Sequence, residues 1–193
     1  MALAEAPTGL LTYEDYMAEG EINRRYDILD GVRVYMANPT VQHQEVVLNV
    51  AILLRGYQRA SRRGRAIVSP CDVLISHRPL RTRQPDALFI SHQRFGPRAL
   101  SDPGPLDPAP ELAVEVLSPS ETRSIREGKI TDYCAVHVAE CWVINTDAQT
   151  VEVLRLTPNG PERVALYGMG QTVQSLTFSD LALALDDIFR IEE

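Results

Sequence analysis

The chain has 193 residues, 45% of them hydrophobic and 23% charged, a mix that suits one globular domain over residues 1–193 and excludes disordered and fibrous classes. No apolar run approaches the roughly 18 residues of a membrane span, and Met1 to Pro7 lacks the basic and long apolar regions of a secretory leader. The formal charge of −7 is unevenly spread: residues 1–100 carry +3 and residues 101–193 carry −10.

In chain order, Thr12 with Glu14 and Asp15 marks the start of a short helix. Tyr26 to Met36 reads as a hairpin turning at Asp30-Gly31. From Thr40 to about Ser61 the period becomes helical, with Val46, Val47, Val50, Leu53, Leu54 and Tyr57 on one stripe and Gly64 as the expected stop. Strand-like runs follow at Ala66–Ser69, Asp72–Ile75, Ala87–Ile90 and Leu112–Leu117, with a long proline-rich loop from Gly96 to Pro110. Ser118-Pro119-Ser120-Glu121 predicts a helix start and a helix to about Val136. Strands at Cys141–Asn145, Val151–Leu156 and Arg163–Tyr167 and a short C-terminal element complete an α/β (α+β) pattern with a mixed sheet between helices.

Cys71, Cys134 and Cys141 are odd in number and far apart, which argues against disulfides and a cysteine-rich zinc site and suits a reduced, cytoplasmic protein. Between Arg55 and Arg98 stand ten arginines and two aspartates. Charge alone leaves two readings open, a solvated face or a phosphate-gripping patch including Arg59, Arg62, Arg63, Arg81 and Arg83. Lys129 is the sole lysine among nineteen basic residues, and an ammonium is not interchangeable with a guanidinium.

Two carboxylates stand where the local pattern disfavours them. Glu115 interrupts the apolar run Leu112 to Leu117, and a buried carboxylate must be protonated, paired or metal-bound. Asp86, in Gln84-Pro85-Asp86, opens another apolar strand. Together they offer hard oxygen ligands suited to Mg²⁺ or Mn²⁺. On the next helix Ile125, Lys129 and Tyr133 share a stripe, which can turn Lys129 inward.

These residues, with Tyr26-Asp27-Ile28-Leu29-Asp30-Gly31, His43, Asp72-Val73-Leu74, Val114 to Ser120 and Glu140-Cys141-Trp142, resemble the PD-(D/E)XK nuclease superfamily. The closer resemblance is to the Uma family of "putative restriction endonucleases". It implies a restriction-endonuclease-like fold, a central mixed β-sheet flanked by helices with an N-terminal helix and β-hairpin. It also implies a Mg²⁺- or Mn²⁺-dependent endonuclease acting on DNA, with Asp86 and Glu115 as metal ligands and Lys129 as the catalytic lysine. Supporting roles go to Asp27 and His43. Leu117 occupies the usual lysine position of the wider superfamily, and the family's lysine is displaced onto the following helix. Asp27 for glutamate, Ile125 for aspartate, Gly128 beside the lysine and His137 for glycine depart from the family pattern.

A second reading is a catalytically silent nuclease fold that binds nucleic acid or a protein partner. A carboxylate-pair glycosidase is a third, disfavoured by the single tryptophan. Duplex-cutting enzymes often match two strands with two subunits, so a homodimer is expected.

Overall fold

The computed structural model describes residues 9–191 apart from residues 21, 23 and 120. The Met1–Pro7 segment and Ser120, both used above, lie outside the described residues. Helix α1 (Tyr13–Glu19) begins as expected: Thr12 Oγ1 accepts from the Asp15 amide at 3.1 Å, and Asp15 accepts back from the Thr12 amide at 3.0 Å. The hairpin is β1 (Tyr26–Leu29) and β2 (Val32–Tyr35), with Asp30 at φ 52° and Gly31 at φ 79°, the two positive angles a tight hairpin turn requires.

Helix α2 (Val41–Ser61) buries Val46, Val50 and Leu54, with Val47, Leu53 and Tyr57 packed beside them. Each fully buried side chain of this kind contributes about 1.5–3 kcal/mol. Gly64 does not stop it. Arg62 takes the left-handed cap at φ 56°, its amide donating to the Gln58 carbonyl at 3.0 Å, and Gly64 opens β3 (Gly64–Val68). Its role is close approach, since a Cβ there would sit 2.2 Å from the Ile90 carbonyl oxygen. Gly64→Ala is therefore expected to lower stability by about 1–3 kcal/mol in chemical denaturation, because the paired backbone has to move.

The chain continues through β4 (Val73–His77), β5 (Leu80–Arg83), β6 (Ala87–Ser91), the single turn α3 (His92–Phe95) and β7 (Leu112–Val116). Then come α4 (Arg123–Ala135), β8 (Glu140–Asn145), β9 (Thr150–Thr157), β10 (Gly160–Tyr167), β11 (Thr172–Gln174), β12 (Ala182–Ala184) and α5 (Leu185–Ile188). The main sheet runs β10-β9-β8-β7-β6-β3, with β7 and β8 parallel and the other pairs antiparallel. One face packs on α2 and α5 through Phe89, Val114, Trp142 and Ile144; the other packs on α4 through Leu88, Ala113, Val143 and Tyr133. A second sheet, β2-β1-β5-β4, stands beside it over Tyr26, Ile28, Leu74 and Leu80.

Two departures from the sequence reading shape the site. Strand β5 was not expected, because Leu80 and Thr82 alternate with Arg81 and Arg83 and give a weak apolar signal. Helix α4 starts later than Ser118: the Glu121 amide bonds the Ser118 carbonyl in a turn, and Thr122 caps the helix through the Ile125 amide at 3.3 Å. That turn leaves the Glu121 side chain ahead of the helix, where it reaches Lys129.

Candidate active site

Strands β6 and β7 pair with Ala87 opposite Val114 and Leu88 opposite Ala113. Continuing that register by one residue sets Asp86 opposite Glu115, on one face of the sheet. The Val116 amide donates to Asp86 Oδ2 at 2.8 Å and ties the carboxylate to the neighbouring strand. Arg25, just before β1, donates to Asp86 Oδ1 at 2.9 Å and to the Gln84 carbonyl at 3.2 Å. His43, in the first turn of α2, places Nε2 3.4 Å from Asp86 Oδ2. Burial alone would raise the Asp86 carboxyl; the His43 bond and the Arg25 charge outweigh it and hold the group below its usual range.

Glu115 is 1% exposed. Lys129 Nζ donates to its Oε2 at 2.8 Å, and Tyr133 Oη donates to Oε1 at 2.5 Å. Burial raises the Glu115 carboxyl to about 7, Lys129 opposing the rise and the Asp86 charge adding to it. Lys129 also meets Glu121 Oε1 at 3.1 Å. Burial would lower the ammonium, but the two glutamates more than reverse this, so Lys129 stays protonated. It acts as a fixed positive charge and hydrogen-bond donor rather than as a base.

Asp27 on β1 is bonded to other partners. Its Oδ2 accepts from Arg83 Nη1 at 2.7 Å and its Oδ1 from the Gln84 amide at 3.1 Å. Arg83 Nε donates in turn to Asp132 of α4 at 2.6 Å, so this chain of charges joins β1 and β5 to the helix that carries Lys129. Arg25, Asp27, His43, Arg83, Asp86 and Lys129 line a common cavity of about 510 Å³ between the hairpin and α4.

Asp86, immediately before β6, and Glu115, on the adjacent strand β7, are hard oxygen donors. Among the described residues no three His, Cys, Asp or Glu side chains converge as a metal-binding group. The donor chemistry fits a divalent ion that takes two carboxylates and completes its shell with water and phosphate, as Mg²⁺ does. Burial raises Glu115 and the Asp86 charge adds to the rise; a cation held between the two carboxylates would offset both.

The sequence matches the model of the Uma2 family, described as "putative restriction endonuclease", over residues 13–186. The chain belongs to the Uma2 family. A crystal structure described as a "putative nuclease belonging to DUF820" from Anabaena variabilis is similar in fold, with a TM-score of 0.74 and 19% identity. The match covers 93% of this chain and 97% of that one, so the two share one fold, a central mixed sheet flanked by helices. No curated protein matches the sequence.

The arginine-rich stretch of this Uma2 chain does not form the single patch that its charge count suggested. Arg59, Arg62 and Arg63 are exposed at the far end of α2, roughly 28 Å of helix from His43. Arg63 pairs with Asp180 at 3.0 Å, while Arg81 and Arg83 are held by Asp30, Asp132 and Asp27. Arg94 and Arg98 bond loop carbonyls, including those of Ala109 at 3.0 Å and Pro105 at 2.6 Å. Short local sequence cannot show such pairing, because each partner lies elsewhere in the chain.

Among the family departures, Ile125 is 48% exposed and lines the cavity instead of packing inward with Lys129. Glu121 supplies a carboxylate beside the lysine from the preceding turn. His137 holds the left-handed conformation at φ 60°, where glycine is the easier residue. Sequence reasoning missed Arg25 altogether and read Glu121 only as a helix-start signal. Tyr133 was visible as the residue one turn beyond Lys129.

Proposed function

We propose that this chain is a metal-dependent endonuclease that hydrolyses phosphodiester bonds in DNA. The observation that carries the reading is the Asp86 carboxylate tied at 2.8 Å to the amide of Val116, which follows Glu115 on the same strand, with the ammonium of Lys129 bonded to Glu115 at 2.8 Å. A bound Mg²⁺ or Mn²⁺ would polarise the phosphate and lower the pKa of a bound water. Asp86 and Glu115 would hold it. Arg25 and His43 keep Asp86 ionised and oriented, and Tyr133 fixes the Glu115 carboxyl from its other oxygen. Lys129 presents a proton donor to the water and to the charge that develops on the phosphoryl oxygens. Asp27 and Arg83 act at one remove, by holding β5 against α4.

The test is metal affinity against pH. Protons compete with the ion for Glu115, whose carboxyl is raised to about 7, so Mn²⁺ binding is expected to strengthen as pH rises through 7 and to level off above it. Below 7 the gain approaches about tenfold per pH unit. Glu115→Gln is expected to weaken binding and remove this rise, read by calorimetric titration. An unchanged affinity and profile in the variant would remove Glu115 from the site.

One observation favours a second reading, a fold that binds nucleic acid without cutting it. The carboxylate oxygens of Asp86 and Glu115 already meet Arg25, His43, the Val116 amide, Lys129 and Tyr133. On that reading Mn²⁺ does not bind and DNA is retained intact.

A further inference from the structure

The walls of the cavity differ from its floor. Around Asp86 and Lys129 the lining is charged, but Leu29, Val34, Met36, Pro39 and Ile125 make the sides apolar. Val34, Tyr35 and Ile125 are 45%, 45% and 48% exposed around this one cavity. Tyr35 is a large, part-exposed aromatic on β2, the edge strand of its sheet, with the Arg24 guanidinium 4.3 Å from its ring centroid and the Tyr26 ring edge-on at 6.1 Å.

The charges of the lining balance. Arg25 meets Asp86, Arg83 meets Asp27, and Lys129 meets Glu121, so these cations are already matched by carboxylates that line the same cavity. Duplex DNA presents a rail of phosphates with its base faces stacked out of reach, so it offers an apolar cleft nothing to receive. An apolar cleft with an exposed tyrosine and a stacked arginine matches a different surface, the open face of a base.

We infer that the cavity receives an unstacked nucleotide, its base against Tyr35 and its phosphate toward Asp86 and Lys129, which makes the substrate class single-stranded or locally unpaired DNA. The inference rests on the nuclease reading of the Asp86–Glu115–Lys129 site and adds the substrate to it. Tyr35 touches the base and not the reacting atoms, so it is a specificity residue.

The experiment measures fluorescence anisotropy of a labelled oligonucleotide, single-stranded or annealed to its complement, in Ca²⁺. Wild type, Tyr35→Ala and Tyr35→Phe are compared as full chains, with thermal unfolding as a check on folding. The single strand is expected to bind at least about tenfold more tightly than the duplex, Tyr35→Ala to lose about tenfold or more, and Tyr35→Phe to stay within about threefold. Equal or tighter duplex binding, or a Tyr35→Ala variant indistinguishable from wild type on the single strand, overturns the inference. Cleavage of both substrates in Mn²⁺ separates the two levels. Duplex cleavage that is indifferent to Tyr35 defeats the inference and leaves the nuclease, whereas tight Tyr35-dependent single-strand binding with no cleavage defeats the nuclease alone.

Discussion

Lys129→Met is expected to slow DNA cleavage by about 10²–10³-fold, the scale of losing one donor aimed at developing charge. The side chain is 7% exposed and its ammonium lies between Glu115 and Glu121 at 2.8 and 3.1 Å. Arginine is not expected to rescue, although the chain uses arginine everywhere else, because a planar guanidinium cannot replace a compact ammonium between two carboxylates. The variant also leaves Glu115 buried without its cation. Burial then raises that carboxyl further, and a group whose folded pKa is raised favours the fold in acid and loses that contribution as pH rises. Unfolding at pH 5 and pH 8 is therefore expected to show the larger stability loss at pH 8. Cleavage assays belong at a temperature where the variant is folded, and near-wild-type cleavage there would displace Lys129 from the site.

The largest stability effect is expected at Arg83. It is 4% exposed, with Asp27 at 2.7 Å and Asp132 at 2.6 Å. Burial would lower the guanidinium, but the charges of Asp27 and Asp132 outweigh this and hold it charged. Arg83→Met leaves two carboxylates with a buried partner missing, which typically costs about 3–5 kcal/mol. At about 2–4 °C per kcal/mol for a chain of this size, the unfolding midpoint is expected to fall by about 6–20 °C. Arg81 still reaches Asp132 at 3.0 Å, so Asp27 is the carboxylate left most exposed to the loss. Adding Asp27→Asn to Arg83→Met is expected to recover part of the stability, since the amide can still accept from the Gln84 backbone. A loss below about 1 kcal/mol would mean that water and Arg81 together replace Arg83.

Legibility in the sequence followed the range of the interaction. The α2 stripe, the β1–β2 hairpin and the apolar strands β6 and β7 are patterns of period 3.6 or 2 within a few residues, and they stand where the periodicity put them. Asp86 and Glu115 stood out because a charge in an apolar run is locally anomalous, and Lys129 because it is the sole lysine. Arg25 carries no such anomaly; it reaches Asp86 across 61 residues of sequence. Arg83 finds Asp27 across 56 and Asp132 across 49, so the same arginines that looked like free surface charge are internal ties. Strand β5 was hidden for the same reason, its outward-reading arginines being bonded inside the fold. Asp27 was legible as a residue of the site region, but its partner was not, and the partner determines that it holds Arg83.

Chelator-sensitive phosphodiester hydrolysis at Asp86 and Glu115 is the property to measure. Supercoiled plasmid and single-stranded DNA are incubated in Mn²⁺ with wild type and with Asp86→Asn, with and without excess chelator. Wild type is expected to cleave, the cleavage to disappear in chelator and to fall by at least about a hundredfold in Asp86→Asn. Equal cleavage by the two proteins, or cleavage that survives the chelator, would contradict metal-dependent hydrolysis at these carboxylates.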